Sequence, residues 1–135
     1  MLTASVILYV LISLGLLGVG AKYAFGPAPA PHHEAALHAD GVTTKSMMIV
    51  LRAVYIPMAA ACAAVAFLLV VLALGPIADG DSWASAVATS AALILGVPTS
   101  ISSWRFEHLT GVRGPYRIVV VLTALSVLAL ALTLF

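Results

Sequence analysis

The feature that most constrains the fold is a set of four long, nearly uncharged apolar runs. They cover residues 2–25, 47–74, 83–103 and 115–135. The hydrocarbon core of a bilayer is about 30 Å thick, and an α-helix needs roughly 20 apolar residues to cross it. The runs do not alternate apolar and polar residues with the period of two that an outer-membrane barrel strand requires. The sequence therefore predicts an all-α protein, an integral membrane four-transmembrane-helix bundle that forms one domain over residues 1–135.

The composition also favours a membrane over water. Hydrophobic residues make up 63% of the chain and charged residues only 8%, whereas a soluble domain is about half apolar and about one quarter charged. A chain of 135 residues buries too small a share of its surface to hide this composition as a soluble monomer. The formal net charge of +1 supplies no basic face for nucleic acid, so we expect no nucleic-acid partner.

Two tryptophans mark the ends of the third run. Trp83 and Trp104 are 21 positions apart, which corresponds to roughly 32 Å along an α-helix. Tryptophan is enriched at both interfaces of a membrane, and the separation matches the thickness of a bilayer core. The spacing therefore supports the third run as a span although its middle is fairly polar.

The cationic residues predict the orientation. With four spans, the segments 26–46 and 104–114 lie on one side of the membrane, together with all six Lys and Arg residues: Lys22, Lys45, Arg52, Arg105, Arg113 and Arg117. The opposite side carries only Asp79 and Asp81. Loops rich in Lys and Arg stay in the cytoplasm. We therefore predict a multi-pass protein of a cytoplasmic membrane, with both termini outside and both loops in the cytoplasm. The small Ala/Val/Leu-rich format favours a bacterial source.

Small residues recur at every fourth position of the third run, at Ala84, Ala88, Ala92 and Gly96. Small side chains let helices approach closely within a membrane. The pattern is typical of packing inside one bundle, which we favour, and an interface between identical subunits is the alternative.

Two prolines interrupt the second and third runs, at positions 57 and 98. Each removes a backbone donor and frees a carbonyl oxygen, which neighbouring Ser and Thr side chains can satisfy in a membrane. Pro57 and Pro98 are interpreted either as tolerated kinks or as bends that frame a pocket on the cytoplasmic half.

Arg52 lies about five residues inside the second run, where a cation is costly unless it reaches the interface or finds a partner. One interpretation is that its long stem reaches the interface. The other is a buried cation that pairs with Glu107 or receives an anionic head group. Tyr55 shares its helix face. The candidate ligand-binding residues are Arg52, Tyr55, Thr99, Ser100, Ser103, Arg105 and Glu107.

The segment 26–46 is long for a connection between helices. Residues 32–40 are predicted to form a short helix, with Pro31 at its start and Gly41 just past its end. Zinc takes three or four ligands such as His and Glu, and the candidates are Glu34, His38 and His108. Their spacing does not match a metalloprotease signature, so we predict solvated side chains and no bound cofactor.

Three functions remain open. The apolar runs carry no Asp, Glu or His near their centres, which argues against a proton-coupled antiporter. The first hypothesis is a non-enzymatic protein that binds a lipid, a quinone-like or another amphipathic ligand, or a partner protein, on the cytoplasmic half. The second is a homo-oligomeric transporter or channel that uses the proline-containing spans. The third is a membrane enzyme with a cytoplasmic His/Glu metal site. Expected partners are membrane lipids, a second copy or a larger membrane complex.

Overall fold

The computed structural model describes residues 1–39, 41 and 45–134. Within these residues the chain is helical and contains no strand. The elements are listed in chain order: α1 (Leu2–Phe25), α2 (Pro31–Ala39), α3 (Lys45–Leu72), a π-helical turn (Ala73–Ile77), α4 (Ser82–Thr110) and α5 (Tyr116–Leu134). The helices α1, α3, α4 and α5 are long and apolar enough to cross a membrane. The prediction of an all-α, four-span membrane bundle is confirmed.

The boundaries differ by more than two residues from the predicted ones at two places. The prediction that residues 104–110 belong to a loop is wrong, because they continue α4 to Thr110. Neither glycine nor proline occurs between residues 99 and 110, and the helix ends only at Gly111, whose φ of 70° favours glycine. The second span continues beyond residue 74 through the π-helical turn, in which Gly75 leaves helical geometry next to Pro76.

The short helix in the first loop is confirmed over Pro31–Ala39. Proline suits the first position of a helix because its φ is already helical and its missing N–H would have no partner there. Asp40, the last residue of the predicted helix, lies outside the described residues, as does Phe135 at the end of the fourth run.

The four spanning helices alternate in direction and pack as two tight pairs. The closest packing joins α1 to α3 and α4 to α5, and α1 also packs along α5. Contact between α3 and α4 is sparser. We call the end that carries the six Lys and Arg residues the basic end, and the end with Asp79 and Asp81 the acidic end. The adjoining halves of the bundle are the basic half and the acidic half.

The small residues of α4 face the interior of one chain. Ala84 and Ala88 are fully buried, and Ala92 and Gly96 are nearly so. A methyl group at Gly96 would overlap the side chain of Thr123 on α5. The predicted tight packing is confirmed, and the alternative of a subunit interface along this stripe is wrong, because the chain's own helices already cover it.

Hydroxyl groups join α1, α4 and α5 in the acidic half. The Tyr9 hydroxyl donates to the Ser85 carbonyl oxygen at 3.1 Å and lies 2.8 Å from Thr89 Oγ1. Ser5 donates to the carbonyl oxygen of Ala129 at 2.8 Å. Among the described residues, we call the following the hydroxyl network: the hydroxyl groups of Ser5, Tyr9, Ser85, Thr89 and Thr133, with the Ser126 carbonyl oxygen, which accepts from Thr89. Such bonds between membrane helices contribute about 0.6 kcal/mol each on average, so the network fixes the mutual position of these three helices.

Candidate ligand-binding site

A cavity of about 550 Å³ lies between the four spanning helices in the basic half. Its walls are largely aliphatic, with Leu16 from α1, Met58 from α3, Leu95 from α4 and Leu122 from α5. The sparse contact between α3 and α4 leaves the room for it. Pockets for small molecules and cofactors have volumes of about 300–1,000 Å³ and mostly apolar walls, so the cavity has the size and the chemistry of a binding site.

Helix α2 covers the basic end of the cavity. Its first turn contributes His32 and His33 to the cavity wall. The backbone N–H of Ala30, just before the helix, donates to the Tyr55 hydroxyl at 3.0 Å, and the same hydroxyl is hydrogen-bonded to His33 Nδ1. Tyr55 therefore holds the start of α2 against α3.

Aromatic rings surround this attachment. The ring of His33 stacks on Tyr55 with centroids 5.5 Å apart, and both histidines meet the Phe106 ring of α4 edge-on, at 5.8 and 5.2 Å. Tyr23 of α1 packs edge-on against Tyr55 at 5.1 Å. We call Tyr23, His32, His33, Tyr55 and Phe106 the aromatic rim. Of the spanning helices, α1, α3 and α4 each contribute one residue to the rim, and α5 contributes none.

The described residues that line the cavity include no Lys, Arg, Asp or Glu. Its polar groups are the tyrosine and histidine side chains of the rim, the Cys62 thiol and the hydroxyls of Thr99, Ser102, Ser103 and Thr123. Two of these hydroxyls already donate within their own helices, Thr99 to the Leu95 carbonyl oxygen and Thr123 to that of Val119. The cavity is thus uncharged, with most of its polar groups towards the basic end.

The structure places the seven predicted ligand-binding residues in different surroundings. Tyr55, Thr99 and Ser103 line the cavity, whereas Arg52, Ser100, Arg105 and Glu107 do not. The Ser100 hydroxyl is buried with no hydrogen-bond partner in the described part of the chain. Arg105 borders a separate surface pocket beside Pro98, Ile101 and Ser102. Pro98 also lines the cavity, but Pro57 is exposed and does not.

The interpretation in which Arg52 pairs with Glu107 is wrong. Arg52 is half-buried, and its Nη1 donates to the carbonyl oxygen of Gly26 at 2.8 Å. Glu107 accepts two hydrogen bonds from Arg117, at 2.9 and 3.2 Å, and one from the backbone N–H of Gly114 at 3.0 Å. The two side chains therefore have different partners. Arg52 joins α3 to the entrance of the 26–46 segment, and Glu107 joins the end of α4 to the turn before α5 and to α5 itself.

The metal candidates do not come together. Glu34 and His38 share a face of α2 at 3.7 Å, as predicted, but both are exposed. His108 instead stacks on Trp104 with centroids 5.6 Å apart. Over residues 1–39, 41 and 45–134, no group of three or more His, Cys, Asp or Glu side chains is close enough to hold a metal ion.

The histidines of the rim are the residues that sequence reasoning missed. The prediction placed His32 and His33 near the start of a short helix but assigned them no site. Their signal was present in the adjacent Pro31, which fixes where the helix starts, and in a loop long enough to fold back over the bundle. Their contact with Tyr55 arises only when the 26–46 segment folds back over α3, and no sequence pattern indicates it.

The rim histidines predict a pH-dependent attachment of α2. Burial, with a smaller effect of neighbouring His32, lowers the pKa of His33 to about 4, and burial together with Lys22 lowers the pKa of His32. Tyr55 and Tyr23 face the same rings from α3 and α1. The attached state therefore binds fewer protons than the detached one between pH 6.5 and 4, so attachment is strongest above pH 6.5. For His33, the attachment equilibrium should fall by about tenfold per pH unit within this window.

Hydrogen exchange of the Ala30 amide, corrected for its intrinsic pH dependence, measures this attachment. In the variant His33→Gln, the change in Ala30 protection per pH unit should shrink to the part that is due to His32. The exposed His38→Gln serves as the control and should keep the full slope. An unchanged slope in His33→Gln would contradict the assignment.

Comparison of the chain with protein-family models, with curated proteins and with solved structures found no match.

Proposed function

We propose that this membrane protein binds an amphipathic small molecule, either a lipid or a quinone-like compound, in the cavity of the basic half, and that it does so without catalysing a reaction. The observation that carries the proposal is an uncharged cavity of about 550 Å³ with aliphatic walls and an aromatic, hydrogen-bonding rim at one end. A molecule with an apolar body and a small polar head would place its body against the aliphatic walls and its head against the rim. Of the residues predicted from the sequence, Tyr55, Thr99 and Ser103 would contact it directly.

The proposal includes an orientation. The six Lys and Arg residues all belong to the basic end, and the acidic end carries two aspartates. The positive-inside rule supports placing the basic end in the cytoplasm and both termini outside, in a cytoplasmic membrane. The polar head of the ligand would then lie at the cytoplasmic side, beneath α2.

In this proposal Arg52 does not receive the ligand. Its hydrogen bond to Gly26 joins the entrance of the 26–46 segment to α3 three residues before Tyr55. It acts together with Tyr55 to position α2 over the cavity. Arg105, which borders the surface pocket outside the cavity, is a contact for membrane lipid at the basic end.

Native mass spectrometry from a mild detergent tests the proposal. The wild-type protein is expected to retain a hydrophobic molecule at one copy per chain. The variant Val54→Trp adds a bulky ring at an exposed position of the cavity wall, so it should fold normally and lose most of the retained molecule. The matched control is Val50→Trp, which lies on the same helix, is similarly exposed and does not line the cavity.

Equal retention in both tryptophan variants would overturn the proposal, as would the absence of any stoichiometric hydrophobic adduct in the wild-type protein. The same spectra report the number of subunits and any metal ion. They therefore also test the expectation of a homo-oligomer and the alternative of a metalloenzyme.

A further inference from the structure

Within the proposed binding function, we infer that the ligand is an uncharged amphipath with a carbonyl head, and that the imidazole Nε2–H of His33 donates a hydrogen bond to that carbonyl oxygen. The inference names the chemistry of the ligand, and it rests on the proposed site being occupied. Two observations carry it: the hydrogen-bond directions around Tyr55 and the distribution of charge around the cavity.

The proton positions follow from counting donors and acceptors. The Ala30 backbone N–H donates to the Tyr55 hydroxyl oxygen, and the Tyr55 hydroxyl also meets His33 Nδ1. If Tyr55 donates to Nδ1, the only polar group of the pair left without a partner among the described residues is Nε2–H. If Nδ1 carried the proton instead, both the Tyr55 O–H and the bare Nε2 would lack partners. Buried polar groups are nearly always paired, so the first arrangement is the stable one.

The imidazole is therefore neutral and presents a donor. A neutral histidine carries a proton on one ring nitrogen and a lone pair on the other. The lowered pKa of His33, about 4, agrees with a neutral ring at physiological pH. Because His33 lines the cavity, its remaining N–H is available to an occupant that offers an acceptor.

The charge distribution decides between neutral and anionic acceptors. Of the positively charged groups near the rim, Arg52 donates to Gly26 and Arg117 to Glu107. Lys22, which lies near His32, is exposed, and none of the three lines the cavity. An ionised carboxylate or phosphate transferred into an apolar site without a paired cation carries a large desolvation penalty. A carbonyl oxygen accepts the same hydrogen bond without that penalty. A protonated amine is disfavoured too, since it would face an N–H donor.

Two kinds of membrane molecule share this chemistry. One is a quinone, whose planar ring bears carbonyls and can pack against the edges and faces of the aromatic rings of the rim. The other is the ester of an uncharged glyceride. The probes are decyl-ubiquinone for the first and monoolein for the second, and oleate is the anionic comparison with the same chain as monoolein.

Binding of the three probes to the detergent-purified protein is measured at pH 7.5 by displacement of the retained molecule in native mass spectra. At least one neutral probe is expected to bind tenfold or more tightly than oleate. The neutral probe that binds more tightly identifies the source of the carbonyl. Oleate binding as tightly as both neutral probes would overturn the inference while leaving the proposed function intact.

Variants at His33 test the hydrogen bond. His33→Phe keeps an aromatic ring but removes both nitrogens, and loss of one neutral hydrogen bond lowers affinity by roughly tenfold. His33→Gln supplies both an acceptor for Tyr55 and an N–H donor, so it should recover most of the affinity. His38→Phe, on the exposed face of the same helix, is the control and should match the wild type.

A vibrational measurement separates a direct hydrogen bond from a structural role. With a ¹³C-labelled carbonyl on the tighter neutral probe, the carbonyl stretching band should lie at lower frequency in the wild-type complex than in the His33→Phe complex. An identical band position in the two complexes would overturn the assignment of His33 as the donor. If no probe binds and Val54→Trp retains as much hydrophobic adduct as Val50→Trp, the proposed function itself fails.

Discussion

Replacing Gly20 with leucine is expected to destabilise the bundle by about 2–3 kcal/mol, the upper range for overpacking a well-packed interior. Gly20 is buried where α1 crosses α3. A Cβ atom there would lie 3.2 Å from the Ala59 carbonyl oxygen and 3.3 Å from Cys62 Cβ. The first of these is a backbone atom that cannot rotate away, so the two helices would have to separate along their most extensive contact.

The neighbouring Gly18 supplies a matched control. It is exposed on the same helix, and no heavy atom of the described residues outside its own helical surroundings lies within 4 Å of a Cβ built on it. Leucine at this position should leave stability unchanged or raise it by up to about 1 kcal/mol, because glycine is a poor helix former. Unfolding in mixed micelles of increasing sodium dodecyl sulfate content, followed by near-ultraviolet circular dichroism, compares the two. Equal losses in both variants would show that α1 and α3 do not meet at Gly20.

Replacing Tyr55 with phenylalanine is expected to weaken the attachment of α2 by about 1–3 kcal/mol, or roughly 5- to 150-fold. The ring and its packing against Tyr23 are kept, but the hydroxyl that bonds both Ala30 N–H and His33 is lost. Leaving a buried donor without a partner carries the full cost of its desolvation. The readout is the protection of the Ala30 amide against hydrogen exchange at pH 7.5.

Tyr116→Phe is the control for this change. Tyr116 also lies at the basic end, but its hydroxyl makes no hydrogen bond within the described residues, and its ring contacts the Arg117 guanidinium at 4.6 Å. Exchange at Ala30 should not respond to this variant. Protection that persists in Tyr55→Phe would mean that α2 is held by its apolar contacts alone.

The spans could be predicted from the sequence because a bilayer leaves a chain few choices. Backbone groups within lipid must be satisfied inside the segment, so a long apolar run must be helical. The short α2 was equally accessible, since Pro31 defines its start locally. The length of α4 was underestimated because hydropathy falls after residue 103, whereas the helix persists until the backbone meets Gly111.

The candidate site was only partly accessible, because its members meet through tertiary structure. The spacing of Arg52 and Tyr55 on one helix was readable, but the partner of Arg52 depends on how residues 26–31 turn back over α3. Likewise, the sequence shows three glycines in α1 without indicating that Gly20 faces α3, Gly15 faces Leu122 of α5 and Gly18 faces outwards. The hydroxyl network has no local signature either, since its residues come from three helices.

The hydroxyl network joins three of the four spanning helices and leaves out α3. Its five side chains, and the Ser126 carbonyl oxygen that accepts from one of them, come from α1, α4 and α5 and none from α3. Hydrogen bonds join these three helices, whereas α3 meets α1 and α4 by packing and ends at Leu72, where the π-helical turn that contains Gly75 begins. Contact between α3 and α4 is sparse, so under the proposed function we expect a ligand to enter the cavity there, sideways from the lipid leaflet rather than from water.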